Sequence, residues 1–209
     1  MNDQTELHDT LFAEAKRQFL ELGPTAVTVE SVIGAVGCTQ SDFSQHWESI
    51  VELRHEILKT YTAGEFAIID RLASAAKAQN AEPVEQSLAF FELFYEDFLR
   101  DWYEVFQVPP TGDVFSAFIY AREGVDPGSY DQAVDGLNTW VGRFTDIISP
   151  VVDASTTATE ETAAELARMM ISINLGAIIL GRATNDPFLL TRQQKLFGDY
   201  LRRIADRSP

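Results

Sequence analysis

The chain has 209 residues, 45% of them hydrophobic, and a formal net charge of −16, so a sizeable core is available but non-specific adhesion to nucleic acid is opposed. Its single cysteine, Cys38, excludes an internal disulfide and agrees with a reducing compartment. The start, MNDQTELHD, is polar and acidic and no uninterrupted 18-residue apolar run occurs, so the expectation is a soluble cytoplasmic protein without a membrane span.

In chain order, residues 5–22 carry Leu7, Leu11, Phe12, Ala15, Phe19 and Leu22 at helical spacing, and Gly23-Pro24 stops that helix. The stretch 28–47, TVESVIGAVGCTQSDFSQHW, predicts two short helices meeting at a glycine. Thr28 is placed as an N-cap before Val29, Val32 and Ile33, and Gly37 suits the left-handed turn that ends the first of them. Thr39 offers a second N-cap, with Phe43 and Trp47 four apart on one face. This is a helix-turn-helix layout whose second helix would enter a DNA major groove. Ser49 with Glu52 reads as the capping box of a long helix reaching about residue 78.

Pro83 suits the start of the next helix, where Leu88, Phe91, Phe94, Phe98, Trp102 and Phe106 recur at steps of three and four. PPTGD breaks the chain at 109–113, and a short segment follows around Phe115 to Ala121. After the turn GVDPGS, residues 129–148 form a helix with Trp140 and Phe144, and VVDASTTAT is expected to be a loop. Residues 160–183 are apolar nearly all round in their second half, and Asp186-Pro187 opens a last helix. No strand pattern is present, so the fold class is all-α.

Beyond these signals, LFAEAKRQFLELG, TAVTVESVIGAVG and GCTQSDFSQHWES resemble the N-terminal domain of the TetR family of bacterial regulators. The resemblance covers roughly the first 60 residues. It implies a three-helix helix-turn-helix DNA-binding domain (1–48) followed by a helical ligand-binding and dimerisation domain (49–209). It also implies a homodimeric, ligand-responsive regulator, a repressor in the family's commonest mode, that engages operator DNA. The DNA-contacting set is then Thr28, Thr39, Gln40, Ser41, Ser44, Gln45 and His46. The family's last two helices dimerise, which designates Ile173, Gly176, Ile178, Ile179, Phe197 and Tyr200 as the interface.

The aromatic residues of the middle helices give a candidate effector lining, Phe91, Phe94, Phe98, Trp102, Phe118, Trp140 and Phe144. The alternative is plain core. Glu92, Glu96, Asp97, Asp101 and Glu104 flank that stripe, which in one reading favours a small apolar cation and in the other is a solvated face.

Polar chemistry departs from the family. Gln40 stands where a lysine is common, Ser44 where a tyrosine contacts phosphate, and Ile50 where a lysine begins the next helix, while Asp42 adds a negative charge. Residues 1–60 hold four basic and ten acidic residues, 61–158 hold five and sixteen, and 159–206 hold six of each. A second reading is therefore a protein of the same fold whose head no longer binds DNA and which acts through a ligand or a protein partner. The three histidines, His8, His46 and His55, have no metal-site spacing, and no nucleophile elbow or phosphate loop occurs, so neither an enzyme nor a cofactor is expected. Cys38 reads as a small hydrophobe rather than a redox switch, because no cation lies near it in sequence.

Overall fold

Nine helices make up almost all regular structure among the described residues: α1 (Asp3–Leu22), α2 (Val29–Val36), α3 (Gln40–Phe43), α4 (Ile50–Gln79), α5 (Pro83–Phe106), α6 (Val114–Tyr120), α7 (Pro127–Ala154), α8 (Ala163–Thr184) and α9 (Leu189–Ala205). A single 3-10 turn lies at Arg122–Gly124. The computed structural model describes residues 3–106, 114–155 and 161–206; the side chains of Asp3, Gln4, Trp102, Tyr103, Val105 and Phe106 are outside that description.

Two compact units emerge, Met1–Ala63 with Thr111–Gly136, and Gly64–Pro110 with Leu137–Pro209. The division therefore does not follow the expected 48/49 boundary: the first unit also takes the beginning of α4, all of α6 and the first turns of α7. The reason is packing. Leu11 and Phe19 of α1, Phe43 of α3 and Trp47 just after it turn apolar side chains inward, and Leu53, Ile57, Phe115 and Phe118 are buried in the same unit. Phe118 stacks on Phe19 with ring centroids 5.9 Å apart, and Phe115 meets Tyr61 edge-on at 5.7 Å. Gly136 permits this, since a Cβ there would lie 2.3 Å from a Phe115 ring carbon.

In the second unit α9 packs on both α8 and α5. Its core is aromatic, with Phe90, Phe91, Phe94, Phe98, Trp140 and Phe144 all buried. Asn174 and Gln194 form a buried polar pair between α8 and α9, Gln194 Nε2 donating to Asn174 Oδ1 at 3.3 Å.

Some boundaries differ from the sequence expectation. α7 continues through Pro150 to Ala154, so the first residues of VVDASTTAT are helical and only Ser155 follows before residues outside the description. Proline removes one backbone donor, and a 28-residue helix absorbs that loss. α8 is capped by Thr162, whose Oγ1 accepts the Glu165 N–H at 3.2 Å while Glu165 Oε2 accepts the Thr162 N–H at 2.8 Å. It ends at Asn185, held in the left-handed region at φ 54°. α8 is also long and apolar enough, by length and composition alone, to cross a membrane, which qualifies the expectation of no such segment. Its Leu166, Met170, Ile171 and Ala177 are buried within the unit instead.

Candidate nucleic-acid interface and helical body

Two reciprocal capping boxes build the helix-turn-helix. Thr28 Oγ1 accepts the Ser31 N–H at 3.2 Å and Ser31 Oγ accepts the Thr28 N–H at 3.1 Å. Gln18 of α1 closes over them, donating to the Ser31 carbonyl at 3.2 Å and accepting from Ser31 Oγ at 2.7 Å, which fixes α2 on α1. Gly37, at φ 79°, then ends α2, with its N–H and that of Cys38 both reaching the Ile33 carbonyl, at 2.8 and 3.2 Å.

Thr39 begins the reading segment. Its Oγ1 accepts the Asp42 N–H at 3.2 Å, while Asp42 Oδ2 accepts from the Thr39 N–H at 2.8 Å and from its hydroxyl at 2.7 Å. Asp42 is thus a capping residue as well as a charge, and Thr39's bonds hold its carboxyl below the usual carboxylate range. The T-x-x-D pattern carried that signal in the sequence.

Regular helix covers only one turn, Gln40–Phe43, shorter than the second helix expected. The chain continues in hydrogen-bonded turns, His46 and Trp47 both donating to the Phe43 carbonyl at 3.0 and 3.1 Å. Thr28, Thr39, Gln40, Ser41, Ser44 and Gln45 are exposed. His46, expected at the DNA, is half-buried: its ring lies 5.3 Å from that of His8 and 5.6 Å from that of Trp47, and its Nε2 is buried without a hydrogen-bond partner. Cys38 is half-buried, and burial followed by the Asp42 charge pushes its thiol up, away from reactivity.

Cations are absent from the segment that would face DNA, since residues 18–53 contain neither lysine nor arginine. Arg17 is held by carboxylates, donating to Glu14 at 2.9 and 2.6 Å and to Glu21. Arg54 is buried and donates to the Pro24 carbonyl at 3.0 Å. Burial lowers the Lys16 pKa.

In the second unit the expected effector residues are brought together and packed ring on ring. Centroid separations are 4.6 Å for Phe94–Phe98, 5.1 Å for Trp140–Phe144 and 6.1 Å for Phe91–Phe144. Phe118 does not join them, because α6 carries it into the other unit, and the Trp102 side chain lies outside the described residues. A cavity of about 130 Å³ lies beside the cluster, lined by Ala73, Lys77, Phe90, Ile147 and Pro150 among others.

The acid amid these rings is one that the sequence reading missed. Glu65 of α4 is 2% exposed and accepts the Trp140 indole N–H at 2.8 Å. Its signal was a lone acid on the apolar face shared with Tyr61, Ile69 and Leu72. Several flanking acids are instead ion-paired: Asp97 with Arg100 at 2.7 Å, buried Asp101 with Arg71, and Glu92 with Arg202.

The expected interface residues separate into two sets. Ile179 is exposed, Ile173, Gly176 and Ile178 are half-buried, and a Cβ on Gly176 would meet open space. Met169, Leu180 and Leu196 add exposed apolar surface. Phe197 belongs elsewhere: it is buried against Phe91 of its own chain, centroids 5.3 Å apart, so it cannot face a partner. Tyr200 is half-buried and its hydroxyl donates to Glu161 at 3.1 Å.

Neither a family model nor a curated protein sequence matches the chain. Solved structures do. A TetR-family transcriptional regulator from Agrobacterium tumefaciens is similar with a TM-score of 0.74 at 14% identity, over 95% of this chain and 98% of its own. A TetR-family regulator from Streptomyces coelicolor gives 0.70 at 16%, over 96% and 97%, and the regulatory protein TetR from Rhodobacter sphaeroides gives 0.67 at 16%, over 92% and 97%. Over almost its whole length, this chain has the fold of the TetR-family transcriptional regulators.

Proposed function

We propose that the chain is a homodimeric transcriptional regulator that reads DNA through Gln40, Ser41 and Gln45 and answers to a small effector in its second unit. The observation that carries this reading is the reading segment itself: Thr39 and Asp42 cap it reciprocally, Gly37 sets its entry, and its amides and hydroxyls are exposed. Amides suit adenine edges and hydroxyls suit several bases. The exposed apolar surface of Met169, Ile179, Leu180 and Leu196 supports pairing of two copies through α8 and α9, which would present two heads to a palindromic site. A repressor releasing its operator on effector binding fits this arrangement, with the coupling equal in both directions.

For the effector, buried Glu65 on the Trp140 indole, whose ring in turn meets Phe98, favours an apolar monocation, the carboxylate balancing charge and the ring faces adding cation–π attraction. A lipophilic cation should quench tryptophan emission in a Trp47→Phe background, and Glu65→Gln should weaken that quenching.

A second reading, a head that has given up DNA, is favoured by one specific observation: Arg54 is buried on the Pro24 carbonyl, and the exposed Arg17 is ion-paired with Glu14 and Glu21. Selection from a random duplex library separates the two. Enrichment of a palindrome by the natural chain supports the DNA reader. Enrichment only by Gln40→Lys/Ser44→Tyr/Ile50→Lys supports the second reading.

A further inference from the structure

We propose that DNA binding by this head strengthens as salt rises, the reverse of ordinary duplex binders. The proposal rests on the reading of the head as a DNA reader.

The first unit is the more acidic of the two. Residues 1–63 hold ten acidic and four basic residues, and residues 111–136 hold five and one. Within the helix-turn-helix and the start of α4, Glu30, Asp42, Glu48 and Glu52 face no lysine or arginine of the same stretch. Three of the unit's five cations are engaged by groups of their own unit. Arg17 is clasped by Glu14 and Glu21, Arg54 is buried on the Pro24 carbonyl, and Arg122 lies over the Tyr130 ring at 5.1 Å. Lys16 is half-buried on α1. Lys59 is exposed, but it lies on α4 about 14 Å along the helix from Ile50 by the usual rise per residue.

An ordinary binder replaces condensed counterions with its own lysines and arginines, and the released ions make affinity fall with salt by about 0.9 log units per neutralised phosphate. This head supplies no such groups to the phosphates flanking its reading segment, so that release is missing. What remains is repulsion between phosphates and the carboxylates of Glu30, Asp42, Glu48 and Glu52. Added salt screens it, the Debye length falling from about 30 Å at 0.01 M to about 3 Å at 1 M. Cations also gather between two facing negative surfaces, so complex formation takes up cations and the slope of log K against log salt becomes positive. Base-edge hydrogen bonds and apolar contacts, which salt does not weaken, supply the affinity.

The test is fluorescence anisotropy of the full chain with the duplex selected above, in potassium chloride from about 0.05 to 0.5 M. Circular dichroism at each concentration checks the folded fraction. The expected result is an affinity at least about threefold higher at the upper salt with folding unchanged, while Gln40→Lys/Ser44→Tyr/Ile50→Lys turns the slope negative. A natural chain whose affinity falls with salt overturns the proposal and leaves the DNA reader standing. A rise that merely follows the folded fraction overturns it as well. No binding at any salt, with the triple variant binding, overturns the DNA reader and the proposal with it.

Discussion

Arg54 Nη2 donates to the carbonyl oxygen of Pro24 at 3.0 Å, tying the start of α4 to the turn after α1 across thirty residues. A cation that would otherwise be a candidate for phosphate is therefore part of the head's internal structure, with only 8% of its surface exposed. Replacing it, as Arg54→Met, removes a charge-assisted bond and strands a carbonyl. A loss of roughly 1.5–3 kcal/mol is expected in urea unfolding. An unchanged unfolding midpoint with weaker DNA binding would instead place Arg54 at the phosphates.

The turn of the helix-turn-helix should be sensitive to backbone chemistry rather than to volume. Gly37 sits at φ 79° with nothing near an added Cβ, so Gly37→Ala carries a conformational cost alone, about 1–2 kcal/mol. Gly37→Asn should cost less, because asparagine tolerates the left-handed region. Thr39→Ala removes the cap of the reading segment and should cost about 1 kcal/mol. Urea titration of the three variants checks the order.

Two residues proposed for one interface should behave in opposite ways. Ile179 is 59% exposed, so Ile179→Arg should leave the melting temperature of each protomer nearly unchanged while shifting sedimentation from dimer to monomer. Phe197 is buried against Phe91, and Phe197→Ala should cost about 3–5 kcal/mol of folding stability. A dimer that survives Ile179→Arg would move the interface away from this face.

Asp126 caps α7 and gives the head an acid-sensitive joint. Its carboxylate accepts from the Ser129 N–H at 2.8 Å and Ser129 Oγ at 2.6 Å, and lies 3.1 Å from His55 Nε2. Burial raises its pKa, but the bonds from Ser129 and His55 outweigh burial and leave it below the ordinary carboxylate value. A depressed folded value means the contribution is complete above the unfolded carboxylate pKa and disappears as pH falls through the folded one. Asp126→Ala should therefore lose about 1 kcal/mol near neutrality and progressively less as pH falls below the ordinary carboxylate value, read from urea midpoints across that range.

Sequence by itself determined what depends on neighbours three or four residues away. Thr28, Gly37 and Thr39 fall where expected because a cap or a left-handed turn is a local bargain between a side chain and its own backbone. Helix type followed from periodicity in the same way. The expected loop at VVDASTTAT was partly misplaced, since α7 runs on through Pro150 to Ala154 and the packing of a long helix outweighs one missing donor. Tertiary structure alone decided the destinations of side chains. Phe118 was grouped with the rings of α5 and α7, but α6 folds it onto Phe19. Phe197 and Ile179 share an apolar pattern with their helices, and only the packing of α9 on α5 sends one inward while the other stays in solvent. Arg54 and Glu65 are enclosed by partners 30 and 75 residues away, which no local pattern could announce. An amphipathic stripe states that a face must be covered; which segment covers it is set by contacts distant in the chain, and those exist only in the folded molecule.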